Sequence, residues 1–280
     1  MKFFEKKKQK DKIFKQIPKN FKKKLNLNYL DITNLTYPVG KYGLPALVCD
    51  INVYPDYIAQ YNNPKDYHKT NNTAVAFYLF DDIFDGKDGL YNAIYFNDKK
   101  LLNEFKKRFK GVKFFISPDY SQLGDIDLIE NLHRLKKSRI VSLWLMHEFH
   151  VPVIPHITFP TLDVLDIYLS GLEDCNVVAF STMGIINDSY EKKILQEAIK
   201  YTVDYLKKLK TIIVFDVCAE DDNVNDIFSY AIEKGINIVI PANKLKIRNK
   251  INKNVRREQR RLKCEEQTVN KQMELSLRLN

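Results

Sequence analysis

Apolar residues follow two patterns along this chain. Short runs, unbroken or alternating with polar residues, have the period of a buried strand, while longer stretches with apolar residues three or four apart have that of a helix on a core. Residues 44–53 predict a first strand, with Asp50 at or past its middle and Tyr54-Pro55 closing it. Further strands are predicted over 73–80 (TAVAFYLF), 112–116 (VKFFI), 151–158 (VPVIPHIT), 176–181, 211–215 and 236–240. The two prolines in 151–158 argue for an irregular or bulged strand. Helical periods fall between these runs. One covers 99–110, with Leu101, Leu102, Phe105 and Phe109 inward and Gly111 as its stop. The longest covers 126–149, and shorter ones cover 162–172 and 224–234. Another runs from a capping-box-like Asp188 and Glu191 through Lys208.

From residue 73 onward strand and helix alternate, an order that implies parallel strands joined by right-handed crossovers. Seven strands are counted; an eighth, from residues 29–33, would complete a closed ring. The expected fold is therefore a TIM-like β/α barrel, imperfect in its strand count, with an open doubly wound sheet as the alternative. Residues 1–43 form a basic lead and an irregular segment, 44–243 the α/β domain, and 244–280 a basic helical tail.

Charge adds a second level of organisation. The net charge is +10, yet residues 1–24 carry eleven lysines against Glu5 and Asp11, and residues 244–263 carry ten Lys and Arg against Glu258. The body between these arms is mildly acidic. In the tail Ile247, Ile251 and Val255 form a narrow stripe at helical spacing, and Arg248, Lys250, Arg256, Arg257, Arg260 and Arg261 cover much of the rest. Such arms suit a nucleic acid, because neutralising phosphates releases counterions whatever the base sequence. Plain solubility, in a composition rich in Lys, Asn, Ile and Tyr, accounts for the same charge. Cys49, Cys175, Cys218 and Cys264 are scattered without a CxxC pair, so neither a disulfide framework nor a zinc ribbon is expected. No run reaches the roughly 18 uncharged apolar residues of a membrane span, and the start lacks an apolar signal segment. A cytoplasmic location is expected.

Candidate chemistry follows from strand direction. Asp50, Asp81, Asp119, His156, Ser181, Thr182 and Asp216 all sit at or near predicted C-terminal strand ends. Parallel strands would bring them to one mouth, where oxygen ligands such as Asp81, Asp119 and Asp216 could hold Mg²⁺ or Mn²⁺. Asp119, His156 and Asp216 are the candidate acid and base groups. Tyr120, Ser121, Arg134, Arg139, Ser181 and Thr182 are the candidate substrate contacts, Ser181 to Gly184 as an anion cradle before a helix. The bland readings are caps at strand-to-helix turns for the acids and hydroxyls, and surface ion pairs for the two arginines. His147, Glu148 and His150 miss the zinc-protease pattern, since their histidines are three apart rather than four. Helix-end contacts suit them better.

The order VAFYLFDD, FKKRFKGVKFFISPDYS, a helix bearing Asn131, Arg134, Ser138-Arg139 and Trp144, then VPVIPHITF, VVAFSTMG and TIIVFDV resembles the domain of unknown function 4417 family over about residues 75–241. ISPDYS is its most specific part. The chain departs from the family pattern at Phe215-Asp216, where the family tends to have Gly after the aromatic, and at VIPH, where the family often has VIPN. The resemblance implies a phage or mobile-element context and supplies no activity. The first functional reading is a nucleic-acid-associated protein with metal-dependent phosphodiester or nucleotide chemistry at an acidic mouth. The alternatives are a non-catalytic replication-accessory or interaction module, and a small-molecule or glycoside hydrolase.

Overall fold

A computed structural model describes residues 19–185 and 188–278, with side chains described for 21–185, 188–261 and 263. Most of the lysine-rich lead lies outside the described residues. The strands are β1 (Pro38–Val39), β2 (Leu44–Pro45), β3 (Tyr57–Gln60), β4 (Thr73–Ala76), β5 (Phe114–Ile116), β6 (Val153–Ile154), β7 (Val177–Ser181), β8 (Thr211–Phe215), β9 (Asn237–Val239) and β10 (Ala242–Asn243). The helices are α1 (Lys19–Lys22), α2 (Leu30–Thr33), α3 (Asp81–Phe84), α4 (Leu90–Phe96), α5 (Lys99–Arg108), α6 (Leu128–Phe149), α7 (Leu165–Leu169), α8 (Ser189–Tyr205), α9 (Asp222–Ile227), α10 (Ser229–Glu233) and α11 (Lys244–Arg278).

Apart from the antiparallel β1–β2 pair, every strand pairing is parallel. One sheet has the order β10-β3-β4-β5-β6 and the other β7-β8-β9. A parallel bridge between His156 and Ala179 ties the end of β6 to β7, through Ala179 N–H donating to Pro155 O at 2.8 Å and Ile157 N–H donating to Ala179 O at 2.9 Å. At the other flank, β9 pairs with β8 and, past Ile240-Pro241, β10 pairs with β3. The C-terminal ends of both sheets consequently face the same way.

The pleat sorts residues into two cores. Tyr57, Ala59, Val75, Phe77, Phe115 and Val153 pack against α4, α5 and the Ile140, Val141, Trp144 and Leu145 face of α6. Their neighbours Ile58, Ala74, Ala76, Tyr78, Phe114, Ile116 and Ile154 join β7, β8 and the helices from α7 to α10. Each large side chain fully withdrawn from water contributes about 1.5–3 kcal/mol before its entropy cost. Strands buried on both faces explain why runs such as Thr211–Phe215 read as unbroken apolar segments.

Two expectations change. Residues 46–53 are not a strand; the chain is extended but fastened by other means. Leu47 N–H donates to Gly171 O, Asn176 N–H to Cys49 O, and the Asn176 side chain bonds both Ile51 N–H and Ile51 O at 3.0 Å. Its apolar alternation reflects burial of Ala46, Leu47 and Cys49 rather than a ladder. The first strand of the parallel array is instead β3, four residues that follow Pro55 closely and are too short to stand out. Residues 29–33 supply no strand either, since they form α2. Prolines 152 and 155 do confine β6 to two residues.

Gly171 shows how tightly the 46–53 chain is seated. It adopts φ +83°, and a Cβ there would stand 2.6 Å from Val39 Cγ2 and 3.1 Å from Ala46 Cα. Gly171→Ala should therefore destabilise by about 2 kcal/mol or more, lowering Tm by roughly 5 °C. Thermal unfolding of the purified variant checks this; an unchanged Tm would show that the 44–47 segment is not held against this turn.

Candidate functional site

Asp119 owes its position to the strand end before it. Past Ile116 the ladder continues for one bond, Ser117 N–H to Ile154 O at 2.9 Å, and Pro118 then ends it. Ser138 Oγ on α6 donates to Pro118 O at 2.7 Å, and Ser117 Oγ accepts the His156 N–H at 2.7 Å. These bonds set the ends of β5 and β6 side by side. His156 Nε2 then lies 3.4 Å from Asp119 Oδ1, while its Nδ1 lies 3.2 Å from Tyr78 Oη. Tyr78 is fully buried, edge-on to the imidazole and stacked on Phe215 at 4.3 Å.

Donor and acceptor inventory fixes the direction of this chain. An ionised carboxylate only accepts, so Nε2 carries the proton toward Asp119, and in the neutral imidazole Nδ1 accepts from the Tyr78 hydroxyl. Tyr78 can act as that donor throughout the ordinary pH range: burial, and then the Asp119 charge, push its phenol far above the usual value. The imidazole is 4 % exposed and the Asp119 side chain 26 %, so the carboxylate is the end that meets solvent. The arrangement can hold and orient a base at the rim, with the imidazole as its immediate neighbour.

Asp216 has a different setting. It is wholly buried at the end of β8, where Oδ1 accepts the Thr182 hydroxyl at 2.7 Å and Oδ2 accepts Cys218 N–H at 3.1 Å and Lys246 Nζ at 2.5 Å. Lys246 also reaches Asp221 Oδ1 at 2.7 Å and Cys218 O at 2.9 Å. Burial alone would lower the Lys246 pKa, but hydrogen bonds to Asp216 and Asp221 outweigh it and raise it. Asn243 Nδ2 donates to the Asp216 carbonyl at 2.7 Å, and its Oδ1 accepts Lys246 N–H at 2.9 Å. Asp216 thus anchors the first turn of α11.

Asp81 has a third set of partners. Its Oδ1 accepts Ser121 N–H at 3.1 Å and the Ser121 hydroxyl at 3.0 Å, and its Oδ2 meets Arg134 at 3.0 Å. Arg134 also bonds Glu130 at 3.0 Å, so it is the surface ion pair expected of it. The three carboxylates read as a metal set, Asp81, Asp119 and Asp216, are therefore each engaged with separate partners. Among the described residues no group of three His, Cys, Asp or Glu is arranged to hold a metal ion.

Other candidates fall elsewhere. Arg139 is not a surface pair: it is 3 % exposed, and burial brings its pKa down to about 10. Its guanidinium donates to Tyr168 O at 2.8 Å, Ser170 O at 3.3 Å and Pro45 O at 3.4 Å. Tyr120 is buried against Phe84 with the Lys137 ammonium 4.8 Å over its ring, a packing position rather than a presented one. Ser181 Oγ accepts Met183 N–H at 3.1 Å, closing a local turn. The Ser181–Gly184 segment does not abut a helix start, because α8 begins at Ser189 and is capped by Asp188, whose Oδ1 accepts Tyr190 and Glu191 N–H. Asp50 lies beside Asn176, before β7, and so at the opposite ends of the strands from Asp119. His147 sits in the last turn of α6, and His150 is its left-handed C-cap.

Arg248, Lys250, Arg256 and Arg260 are exposed on α11. Arg257 pairs with Glu220 at 2.8 Å, Lys253 pairs with the same carboxylate, and Arg261 pairs with Glu258 at 2.7 Å. Sequence reading missed Tyr78, Asn243 and Lys246. Tyr78 lies inside an apolar run, and Lys246 reads as one charge among many.

These features define a parallel α/β protein with polar groups at its C-terminal strand ends. The family described as Domain of unknown function (DUF4417) matches residues 37–231, more than half of the chain, and the protein belongs to it. No curated protein and no solved structure matches the chain.

Tyr78→Phe removes one buried donor and should cost about 1 kcal/mol; His156→Ala, which strips partners from both neighbours and leaves a void, should cost about 2–4 kcal/mol. The double variant should cost less than the two together, as urea unfolding would register. Additive losses would mean the two side chains are not coupled. Burial also raises Tyr67 to about 12 and Tyr120 far above the usual value. Raised phenols stabilise the fold fully below the unfolded value of about 10, and that contribution is lost as pH climbs toward the folded value. Phenolate absorbance should accordingly rise in two stages, the second coinciding with loss of helical circular dichroism above about pH 10. A single stage with the fold intact would contradict the buried assignments.

Proposed function

We propose that this protein binds nucleic acid through α11, beside the polar rim of a barrel-like α/β domain, and that it serves in a phage or mobile-element setting. The observation that carries the reading is the junction of charge and anchorage. A 35-residue helix whose first twenty positions hold ten basic residues springs from β10 and is tied to the rim by Lys246, Asn243 and Asn249. Exposed Arg248, Lys250, Arg256 and Arg260 fit successive phosphates better than a base code. A rigid, rim-anchored basic helix would hold a polymer near Asp119 and His156. The barrel-like reading is supported by the His156–Ala179 bridge on one flank and the β9 to β10 continuation on the other. The phage setting rests on the resemblance alone.

A second reading has one specific observation in its favour, the part-exposed Asp119 oriented by His156 and Tyr78. On it the rim performs acid–base chemistry on a phosphodiester or nucleotide. Asp81 and Asp216 do not fit a shared Mg²⁺ or Mn²⁺ site, because Arg134 and Lys246 already neutralise them.

Fluorescence anisotropy with a labelled 20-base-pair duplex tests the first reading. Observed affinity should fall steeply as salt rises from 50 to 200 mM, and Arg256→Gln with Arg260→Gln should reduce the slope of log K against log salt by about 2. Binding that is insensitive to salt, or unchanged in the double variant, would overturn it. Turnover of a nucleotide or phosphodiester lost on Asp119→Asn, with duplex affinity retained, would support the second reading.

A further inference from the structure

Arg139 is the clue to a separate site. Of the five N–H donors of a guanidinium, three bonds are accounted for by the carbonyls of Pro45, Tyr168 and Ser170. Among the described residues no carboxylate pairs with it directly, and Glu173 acts on it only as a more distant charge. Carbonyl dipoles answer hydrogen-bonding demand but leave a full positive charge withdrawn from water, which is costly unless an opposite charge meets it.

Arg139 borders a narrow crevice lined also by Ser117, Gln122, His156 and Tyr168, and its lining contains no acidic side chain. Ser117 Oγ takes the His156 N–H as an acceptor, which leaves its own hydrogen to donate. The Tyr168 hydroxyl donates to Gln122 Oε1 at 2.6 Å, closing one wall. The enclosed space is about 10 Å³, the scale of a single oxygen or water.

We propose that this crevice is an oxyanion subsite, taking an oxygen of a carboxylate or phosphate group on a small molecule between the Arg139 guanidinium and the Ser117 hydroxyl. The rest of such a ligand lies out through the open side. The assignment stands apart from nucleic-acid binding by α11, whose charges are exposed and lie on another element. A guanidinium serving only to clamp β2 to α7 would need the three carbonyls and no anion.

Thermal unfolding of the full chain tests it, with inorganic phosphate in one arm and acetate in the other, each against sodium chloride of equal ionic strength. At about ten times its dissociation constant the bound anion should raise Tm by roughly 3–5 °C over the chloride control. Whichever anion gives the rise names the group. Ser117→Ala should weaken the apparent affinity about fivefold or more, and Arg139→Met should abolish the response. Arg256→Gln with Arg260→Gln should leave it intact. No rise over chloride with either anion would overturn the proposal, as would a rise undiminished in Ser117→Ala or lost in the α11 variant. If Arg139→Met does not fold, Ser117→Ala and the α11 variant decide the matter.

Discussion

A carboxylate with no exposure to water must be met by donors, and Asp216 is the place where that requirement organises the most structure. Thr182 comes from the end of β7, the Cys218 amide from the turn after β8, and Lys246 from α11. Asn243 adds a bond to the same residue's carbonyl from β10. One side chain thereby joins two strand ends and fixes the direction in which the long helix leaves. Removing Lys246 would leave this buried charge without its cation, which is far more costly than losing an exposed pair.

The acids at the strand ends are alike in sequence and unlike in their surroundings. Asp216 is consumed by structure, Asp81 is shared between Ser121 and Arg134, and Asp119, as exposed as Asp81, is the one of the three backed by an imidazole. Burial sets Asp216 apart, since a carboxylate without water must be met by a cation or hydroxyl from the chain, while neighbouring partners alone separate Asp81 from Asp119. Arg139 presents the inverse case, a buried cation whose hydrogen bonds go to carbonyls.

Family membership covers residues 37–231 and so includes the parallel strands up to β8 and the turn at Asp119, but not β10 or α11. The helix anchored by Lys246 is therefore an addition beyond the matched region, built onto an aspartate inside it. That division matches the split between a mildly acidic body and a basic arm. The two parts carry different chemistry, one a set of oriented polar groups and the other a run of solvated cations.

Periodicity in the chain determined most of the elements: β4 to β9, the helices α5, α6 and α8, and the basic helix after residue 243. Local hydrogen bonding and apolar spacing are properties of neighbours in sequence, so they survive without knowledge of the fold. The alternation in residues 46–53 misled because burial against Gly171 and Asn176 imitates a ladder. Strand ends were legible as a class, since parallel direction alone sends Asp81, Asp119, His156 and Asp216 the same way. Which of them pair with one another was decided only by tertiary structure. The partners Tyr78, Arg134 and Lys246 are supplied by segments 30 to 78 residues away, and desolvation, which sets the role of Asp216, is a property of the packed molecule rather than of its residue order.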